Sequence, residues 1–458
     1  MRQKNNHLLI IISIFTLFFT PCLYANGILE RPVSEDNAWY VSGDGALIAG
    51  DDSNSGTAEK PLASIQQALT LIKAAYAVEK FNTALIRIDG DISANEGESH
   101  FLGMIVIQGR DAFPSIVIRG SSDPRKLDTI DARGGGRLLY ISDGNDVTIE
   151  NLTLTGGRAN AGAGVYVSGS RFVLGKSSLI QNNEADSGGG ICTDDGVLVI
   201  HGNVIGNKAE YGGGIALRGK SIIDVYGTIG GNAAVSSGGG IFFDGAQGRI
   251  DGGLILGNTA QRGFGGGIYL ESKEASLVID SGNICGNRAQ SGGGIFASVE
   301  SSVIINSCVI RNNDALAGGA IALFHKVSVL LLDAKISGNT AVNGGAIMIV
   351  DGDLTAGGDT VISYNDASNS GGGINMINGS IFLSGDVQML KNNASQNGGA
   401  VIIVNTDYEG KRSIQFVLSD NAQIEGNTAK HGSGLFKVNA DYHPQGGSLA
   451  DDIYEKQN

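Results

Sequence analysis

The octapeptide from Gly214 to Ser221, GIALRGKS, fits the G-x-x-x-x-G-K-[ST] pattern of a nucleotide-binding phosphate loop. In such a loop, glycine N–H groups, a lysine and a helix N-terminus bind the phosphates together. The residues that follow, IIDVYGTIGGN, alternate like a strand and run into another glycine-rich segment, not into a helix. We therefore attribute the match to the high glycine content, 71 of 458 residues, and expect no nucleotide ligand.

Carboxylates that could exchange protons or bind a cation occur at two places. Asp194 and Asp195 form an acidic pair directly after a Gly-Gly-Gly-Ile segment, and the Gly196 that follows favours a solvated turn over a catalytic pair. The loop GDDSNSG (50–56) is rich in oxygen ligands for Ca²⁺, but it lacks the twelfth-position Glu and the flanking helices of an EF-hand. We interpret both as structural, and expect no catalytic residue, metal or cofactor there.

The histidines and cysteines also give no metal-site pattern. The six histidines are scattered, and Cys192, Cys285 and Cys308 include no C-x-x-C pair. Aligned repeats place Cys308 opposite Gly282, so that Cys308 and Cys285 are offset by three residues along the strand. This offset is about 10 Å, which is too far for a disulfide between them. We expect these cysteines to be small buried apolar residues.

The first 25 residues are typical of a secretory signal. Arg2 and Lys4 precede an apolar run from Leu8 to Phe19, and a cleavage site is predicted after Ala25. A lipoprotein interpretation through Cys22 is less favoured because Pro21 precedes it. No later apolar run is long enough to span a bilayer as a helix. The formal net charge of −14, without Lys/Arg clusters, argues against nucleic acid as a partner.

A repeat of about 26 residues accounts for the glycines. Each copy has an Asn, usually followed by x-Ala, then Gly-Gly-Gly/Ala and an aliphatic residue. The aliphatic positions are Ile191, Ile215, Ile241, Ile268, Ile295, Ile321, Ile347, Ile374, Val401 and Leu435, with a degenerate copy ending at Val165. The short alternating runs between them read as strands, and such units bury their apolar faces only by stacking. The sequence predicts an all-β fold, a parallel β-helix with three short strands per coil.

The repeated Asn and Gly residues have predicted structural roles. Asn tolerates the left-handed conformation at a turn, and stacked copies such as Asn258 and Asn339 can form an amide ladder. The glycine three positions before the aliphatic residue, such as Gly292 or Gly344, is Gly in all eleven copies, which predicts a positive φ or a crowded backbone. The position directly before the aliphatic residue is Ala in three copies, so a Cβ should fit there.

An N-terminal cap with one amphipathic helix is predicted before the coils. Ser64 and Gln67 form a capping box, and five apolar residues then share one helical face: Ile65, Ala68, Leu69, Ile72 and Tyr76. We expect this helix to cover the open end of the core. The predicted organisation is a signal peptide (1–25), the cap (26–82), the β-helix (83–440) and a C-terminal cap or tail (441–458).

These features resemble the pectin-lyase-like right-handed β-helix superfamily, through YVSGDGALIAGDDSNSGT and NDVTIENLTLTGG. The repeat is more specifically similar to that of the chlamydial polymorphic outer membrane proteins, which pair Gly-Gly-Ala-Ile/Leu/Val with Phe-x-x-Asn; ISGNTAVNGGAI (336–347) matches closely. Ile, Val or Leu usually stands here in place of Phe. That family also ends in a translocator β-barrel, which residues 441–458 do not resemble, so the means of surface attachment is left open.

The resemblance implies a secreted or surface-exposed, outer-membrane-associated module that adheres to a host-cell surface or an extracellular glycan or protein. The alternative is a polysaccharide-active lyase or glycosidase of the same superfamily, and a third interpretation is a purely structural envelope filament or spacer. No Gly-His-Gly or Arg-Ile-Lys, the glycosidase signatures of this fold, is present. A cluster of acidic and basic side chains on neighbouring coils would favour the enzyme.

A binding surface is predicted on the strand that follows the glycines. Alternation puts Ile241, Ile268 and Ile295 inward, so that Phe242, Tyr269 and Phe296 point outward and stack on three consecutive coils. If exposed, this aromatic strip would be a candidate partner- or sugar-binding surface. The alternative is that a loop covers the strip or a bulge turns it inward.

Overall fold

The computed structural model describes residues 38–93, 105–121, 127–406 and 414–456. The predicted signal peptide, its cleavage site and the lipidation alternative at Cys22 lie outside these ranges. The described chain winds as a right-handed parallel β-helix, as the sequence predicts. Each coil passes through three long parallel sheets in turn, here called the first, second and third sheets.

The first sheet has 15 strands. They are Ala38–Ser42, Thr83–Asp89, Ser115–Arg119, Asp146–Glu150, Arg171–Leu174, Val197–Ile200, Ile222–Val225, Gln247–Ile250, Ser276–Ile279, Ser302–Ile305, Ser328–Leu332, Asp353–Gly357, Ile381–Leu383, Gln415–Ser419 and Asp441–Gln445.

The second and third sheets have 14 strands each. The second comprises Ile92–Ser93, Asp128–Asp131, Leu152–Thr155, Leu179–Gln181, Asn203–Ile205, Thr228–Gly230, Leu254–Leu256, Gly282–Cys285, Cys308–Arg311, Lys335–Ser337, Val361–Ser363, Gln388–Leu390, Gln423–Glu425 and Ser448–Leu449. The third comprises Ile105–Ile107, Leu139–Ile141, Val165–Ser168, Ile191–Asp194, Ile215–Arg218, Ile241–Asp244, Ile268–Glu271, Ile295–Ala297, Ile321–Phe324, Ile347–Val350, Ile374–Ile377, Val401–Val404, Leu435–Val438 and Ile453–Lys456.

Two smaller parallel sheets precede the glycine turns. One contains Arg158–Ala161, Glu184–Ser187, Lys208–Tyr211, Ala233–Ser237 and Thr259–Ala260, and the other contains Thr340–Asn343, Asp366–Ser370 and Asn393–Ala394. They give these coils a fourth short strand, where the sequence predicts three strands per coil. Their pairing means that this part of each coil is ordered from coil to coil.

The strands extend beyond the predicted limits of the β-helix at 83 and 440. Ala38–Ser42 pairs in parallel with Thr83–Asp89, inside the segment predicted as a cap. Residues 441–456 supply one more strand to each of the three sheets, where a cap or tail was expected. Both end segments lack the Asn and the Gly-Gly-Gly/Ala of the repeat.

The helix Ile65–Val78 buries Ile65, Ala68, Leu69 and Ile72, as its periodicity predicts, whereas Tyr76 on the same face is half-buried. Its N-cap differs in part from the expected capping box. The Ser64 hydroxyl accepts the N–H of Gln67, but the N–H of Ser64 itself donates to Asp52. The acidic loop before the helix therefore completes the cap.

Side chains facing the interior form one continuous core along the coils. Ile241, Ile268 and Ile295 are fully buried, together with their second neighbours Phe243, Leu270 and Ala297. The inward alternation predicted for the third sheet is confirmed.

An asparagine ladder runs along the turn between the second and third sheets. Its members are buried: Asn183, Asn207, Asn232, Asn258, Asn287, Asn313, Asn339, Asn365, Asn392 and Asn427. Each side-chain amide donates to the Oδ1 of the next Asn, as from Asn258 to Asn287 at 3.0 Å and from Asn339 to Asn365 at 2.9 Å. At the end of the ladder the carboxylate of Asp451 accepts both the N–H and the amide of Asn427.

The ladder is as predicted, but its left-handed residue is not the Asn. The residue directly before each ladder Asn has positive φ: Asn182, Gly206, Gly231, Gly257, Gly286, Asn312, Gly338, Tyr364, Lys391 and Gly426. None of the ladder Asn residues has a positive φ, and each donates both its N–H and its side-chain amide along the ladder, as Asn258 does to Asn287. The turn thus places the strained residue outside and the hydrogen-bonding residue inside.

The glycine three positions before the aliphatic residue has a positive φ, as predicted, in all eleven copies, between 53° and 71°. A Cβ there would also collide with the backbone. At Gly344 it would lie 2.4 Å from the carbonyl oxygen of Ile347. Both predicted reasons for glycine, φ and crowding, therefore apply at the same position.

Candidate functional site

The phosphate-loop pattern has no phosphate-loop structure. Its residues form the strand Ile215–Arg218, a turn at Gly219 and the start of the strand Ile222–Val225. The Ser221 hydroxyl donates to the carbonyl of Arg218 at 2.6 Å. No helix follows to direct its N-terminal N–H groups at a ligand.

The two acidic places found in the sequence are engaged in turns. Asp195 has a φ of 53° and its carboxylate accepts the N–H of Lys220, while Asp194 accepts the Tyr166 hydroxyl. In the loop 50–56, Asp52 accepts the N–H groups of Ala63 and Ser64. No group of three or more His, Cys, Asp or Glu in the described ranges could hold a metal ion.

The cysteines lie as the repeat register predicts. Gly282 pairs with Cys308, and Cys192 and Cys308 are buried free thiols, whereas Cys285 is half-buried. Burial raises the pKa of the Cys308 thiol to about 12 and that of Cys192 to about 11. Neither thiol is therefore activated as a nucleophile at neutral pH.

The aromatic strip points away from the main core but is not exposed, and this corrects the predicted surface. Phe242, Tyr269 and Phe296 stack on consecutive coils and are only 5%, 7% and 5% exposed. They form a second cluster on the outer side of the third sheet, separate from the main core. Alternation fixed the side of the sheet correctly, but it carries no information about what covers that side.

The cover is the segment that precedes each glycine turn. Tyr211 lies 5.6 Å from Phe242, and Phe264 lies 4.6 Å from Phe296, between ring centroids. The turn at the left-handed glycine is tight, because a Cβ added at Gly212 would lie 2.4 Å from the carbonyl oxygen of Ile215, and one at Gly265 would lie 2.3 Å from that of Ile268. Of the two alternatives given for a buried strip, a covering segment is the one found.

A charged cluster lies on the outer face of the first sheet, where sequence reasoning identified no site. This first-sheet cluster comprises His201, Asp224, Tyr226, Arg249, Asp251 and Asp280. Strand register stacks Asp224 directly beside Arg249 on the next coil. His201 and Tyr226 follow paired strands on neighbouring coils, and their ring centroids lie 4.8 Å apart.

Arg249 organises the carboxylates of this cluster. Its Nε lies 2.6 Å from Asp280 and its Nη2 lies 3.2 Å from Asp251. Burial raises the pKa of Asp224, while the positive charge of Arg249 acts in the opposite direction. The arrangement puts a carboxyl whose pKa is raised by burial beside two carboxylates that are paired with a guanidinium.

A polar groove crosses five coils at the turns that join the third sheet to the first. This turn groove has a volume of about 530 Å³ and is lined by Val299, Glu300, His325, Lys326, Asp351, Asn378 and Thr406. Lys326 lies 3.7 Å from Glu300, and Asn378 accepts the N–H and the hydroxyl of Thr406. Successive coils therefore present a row of charged, amide and hydroxyl groups about 4.8 Å apart.

The walls of the turn groove are conformationally strained. Val299, Glu300, His325, Lys326, Asp351 and Asn378 all have positive φ. For the β-branched Val299, with a φ of 56° and 47% exposure, this is a clear outlier. Strained backbone of this kind clusters at functional surfaces. No sequence signal marked these turns, because their residues differ from coil to coil.

The comparisons with known proteins concern the fold. The sequence model of the family described as "Right handed beta helix region" matches residues 239–429. Comparisons with curated proteins and with solved structures find no significant match. The matched coils include those that line the turn groove, and the match carries no information on ligand or reaction.

In the described part of the chain, no helix has the length and apolar character needed to cross a membrane.

Proposed function

We propose that the protein is a secreted or surface-exposed, non-enzymatic adhesion module that binds an extracellular glycan or protein on a host-cell surface. The observation that carries this proposal is the turn groove. It is open, crosses five coils and presents hydrogen-bonding groups at the regular spacing of the β-helix. An extended polymer lying along the helix axis could contact each coil in turn.

The proposal of secretion, surface exposure and adhesion rests on the sequence. The repeat is similar to that of the chlamydial polymorphic outer membrane proteins, a resemblance that implies surface exposure and outer-membrane association, and the N-terminal pattern favours export. The groove supports a binding role because its carboxylate, ammonium, amide and hydroxyl groups can form hydrogen bonds with the hydroxyl, amide and carboxylate groups of a ligand. The ligand is named here only by that chemistry.

Removing the groove side chains is expected to abolish binding without unfolding the coils. The triple variant Glu300→Gly, Lys326→Gly and Asn378→Gly suits the fold, because all three positions have positive φ, where glycine is favoured. We expect at least a tenfold loss of binding to a glycan array and to cultured host cells, with a thermal midpoint close to that of the wild type.

The matched control is the triple variant Asp195→Gly, Asp333→Gly and Asp420→Gly. These residues also have positive φ and are exposed, but they do not line the groove. Binding equal to wild type in the control and lost in the groove variant supports the proposal. A wild-type protein that binds neither the array nor the cells, or a groove variant that binds fully, contradicts it.

The second candidate function is a polysaccharide-active enzyme, and the first-sheet cluster favours it. A charged cluster on neighbouring coils is the feature that would distinguish the two functions. In this alternative Asp224 donates a proton, and its raised pKa keeps the acid form present at higher pH than for an ordinary Asp. Activity would fall as the pH rises through that raised value.

The enzyme alternative is tested by product formation from a panel of acidic and neutral polysaccharides, followed by reducing ends and by absorbance of unsaturated products. If the protein is an enzyme, Asp224→Asn should lower kcat at least 100-fold, since general acid–base catalysis contributes about 10²–10⁴-fold. Asp359→Asn, an exposed residue outside the cluster, is the control. Absence of turnover by the wild type on the whole panel rules out this alternative.

A further inference from the structure

The segment that covers the aromatic cluster exposes two of its own rings. Tyr211 and Phe264 are 42% and 41% exposed, although each contacts the buried rings beneath it. Both occupy the position directly before the left-handed glycine, Gly212 or Gly265. The buried cluster and the crowded glycine turn together hold the exposed rings in fixed positions.

The spacing of the two rings follows from strand register. Tyr211 pairs with Ser237 on the next coil, and the N–H of Phe264 approaches the Ser237 hydroxyl at 3.4 Å one coil further on. Ser237 is small and buried, so the rings stand two coils apart, about 10 Å along the axis. Ser291 and Ala317 continue the row with small side chains beyond Phe264.

Polar groups run beside the rings. Glu210 and Ser236 are joined by a hydrogen bond one residue before the ring row. Gln290 and Arg262 are exposed close to Phe264 in the same row of segments. The surface therefore offers apolar ring faces and, alongside them, a carboxylate, a hydroxyl, an amide and a guanidinium.

We infer that Tyr211 and Phe264 form a carbohydrate-binding platform for an extended oligosaccharide, separate from the turn groove. A sugar ring has an apolar C–H face that packs on an aromatic ring and hydroxyls that reach adjacent polar groups. In an extended β-1,4-linked chain every second sugar advances by about the ring spacing, two coils. The inference rests on the proposed binding function. It specifies an extended oligosaccharide as the ligand and adds the Tyr211 and Phe264 platform as a second binding surface.

A protein ligand fits this surface less well. A stable protein interface buries about 800 Å² on each partner around a continuous apolar centre. Here two rings are separated by a small serine and flanked by polar side chains, which matches the face of a sugar chain better than a protein interface.

The inference is tested by affinity electrophoresis and calorimetry with β-1,4-linked hexasaccharides, cellohexaose and chitohexaose, and with their disaccharides. We expect a hexasaccharide to bind the wild type more tightly than its disaccharide does. The double variant Tyr211→Ala and Phe264→Ala should bind at least tenfold more weakly, whereas Tyr211→Phe with Phe264→Trp should retain binding. Tyr364→Gly, which removes an exposed ring at a positive-φ position elsewhere, is the control.

The outcomes separate this inference from the proposed function. If the groove variant loses binding to the hexasaccharides and the ring variant does not, the platform is wrong and the binding function stands. If the wild type binds cells but neither hexasaccharide, the platform is also wrong, and the ligand on the cells is a protein or a different glycan. If neither cells, array nor hexasaccharides bind, both are wrong. Selective loss in the ring variant, at an unchanged thermal midpoint, supports the platform.

Discussion

Replacing Gly292 by alanine is expected to destabilise the β-helix by several kcal/mol. Gly292 has a φ of 62°, and a left-handed non-glycine residue costs about 1–2 kcal/mol. An added Cβ would also lie 2.3 Å from the carbonyl oxygen of Ile295 and 2.9 Å from the Cα of Phe296. Both atoms belong to a central strand bonded to coils on either side, so the backbone has little room to shift.

The matched control is Gly294→Ala, the same substitution two residues later. Its Cβ would lie 2.7 Å from the carbonyl oxygen of Ala320, so a small shift is needed and the change is not fully neutral. The equivalent positions in other coils already hold Ala320, Ala346 and Ala400, which shows that the repeat accommodates this shift. We expect a cost of about 1 kcal/mol or less.

Thermal and urea unfolding of the two variants provide the measurement. Long repeat arrays can lose two-state behaviour, so the midpoints are compared instead of an extrapolated free energy. Hydrogen exchange of the strand Ile295–Ala297 then localises the effect. Equal midpoints for Gly292→Ala and Gly294→Ala would show that φ and crowding at Gly292 are unimportant.

The fold could be predicted from sequence because one physical constraint recurs in every coil. The Asn must satisfy buried backbone groups, and the left-handed glycine must tolerate a carbonyl at close range. Both residue types therefore recur at fixed positions in ten copies of the repeat and can be recognised in the sequence. Spacing between the repeats also gave the register, including the pairing of Gly282 with Cys308. The left-handed residue before the Asn was not identified, because Gly, Asn, Tyr and Lys all occur there.

The candidate sites could not be predicted in the same way. The first-sheet cluster joins Asp224, Arg249 and Asp280, which are brought together only by register between coils of unequal length. Burial of Phe242 depends on Tyr211, a residue of the preceding coil. Alternation along one strand determines which face a side chain occupies, and its accessibility depends on neighbouring coils that vary in sequence.

Replacing a ladder asparagine by alanine is expected to destabilise the β-helix as severely as the change at Gly292. In Asn287→Ala, the N–H and the side-chain amide of Asn258 both lose their acceptor, the Oδ1 of Asn287. The carbonyl of Ile255 loses the donor that Asn287 supplies at 3.0 Å. Each of these three groups is buried, and leaving one unsatisfied costs about 1–3 kcal/mol, so we expect a loss of roughly 3–9 kcal/mol in total.

Asn369→Ala is the control, because it removes the same kind of bond at the surface. The Asn369 amide donates to the Oδ1 of Asn343 at 2.9 Å, also between neighbouring coils, but both groups are exposed. Water can replace that bond, so the free energy of unfolding should change by no more than about a few tenths of a kcal/mol, and the midpoint should stay close to that of the wild type. Hydrogen exchange should show faster opening around Asn258 in Asn287→Ala and no change there in Asn369→Ala. If both variants unfold at the wild-type midpoint, the ladder contributes alignment of the turns without net stability, and burial of the apolar core alone sets the stability of the coils.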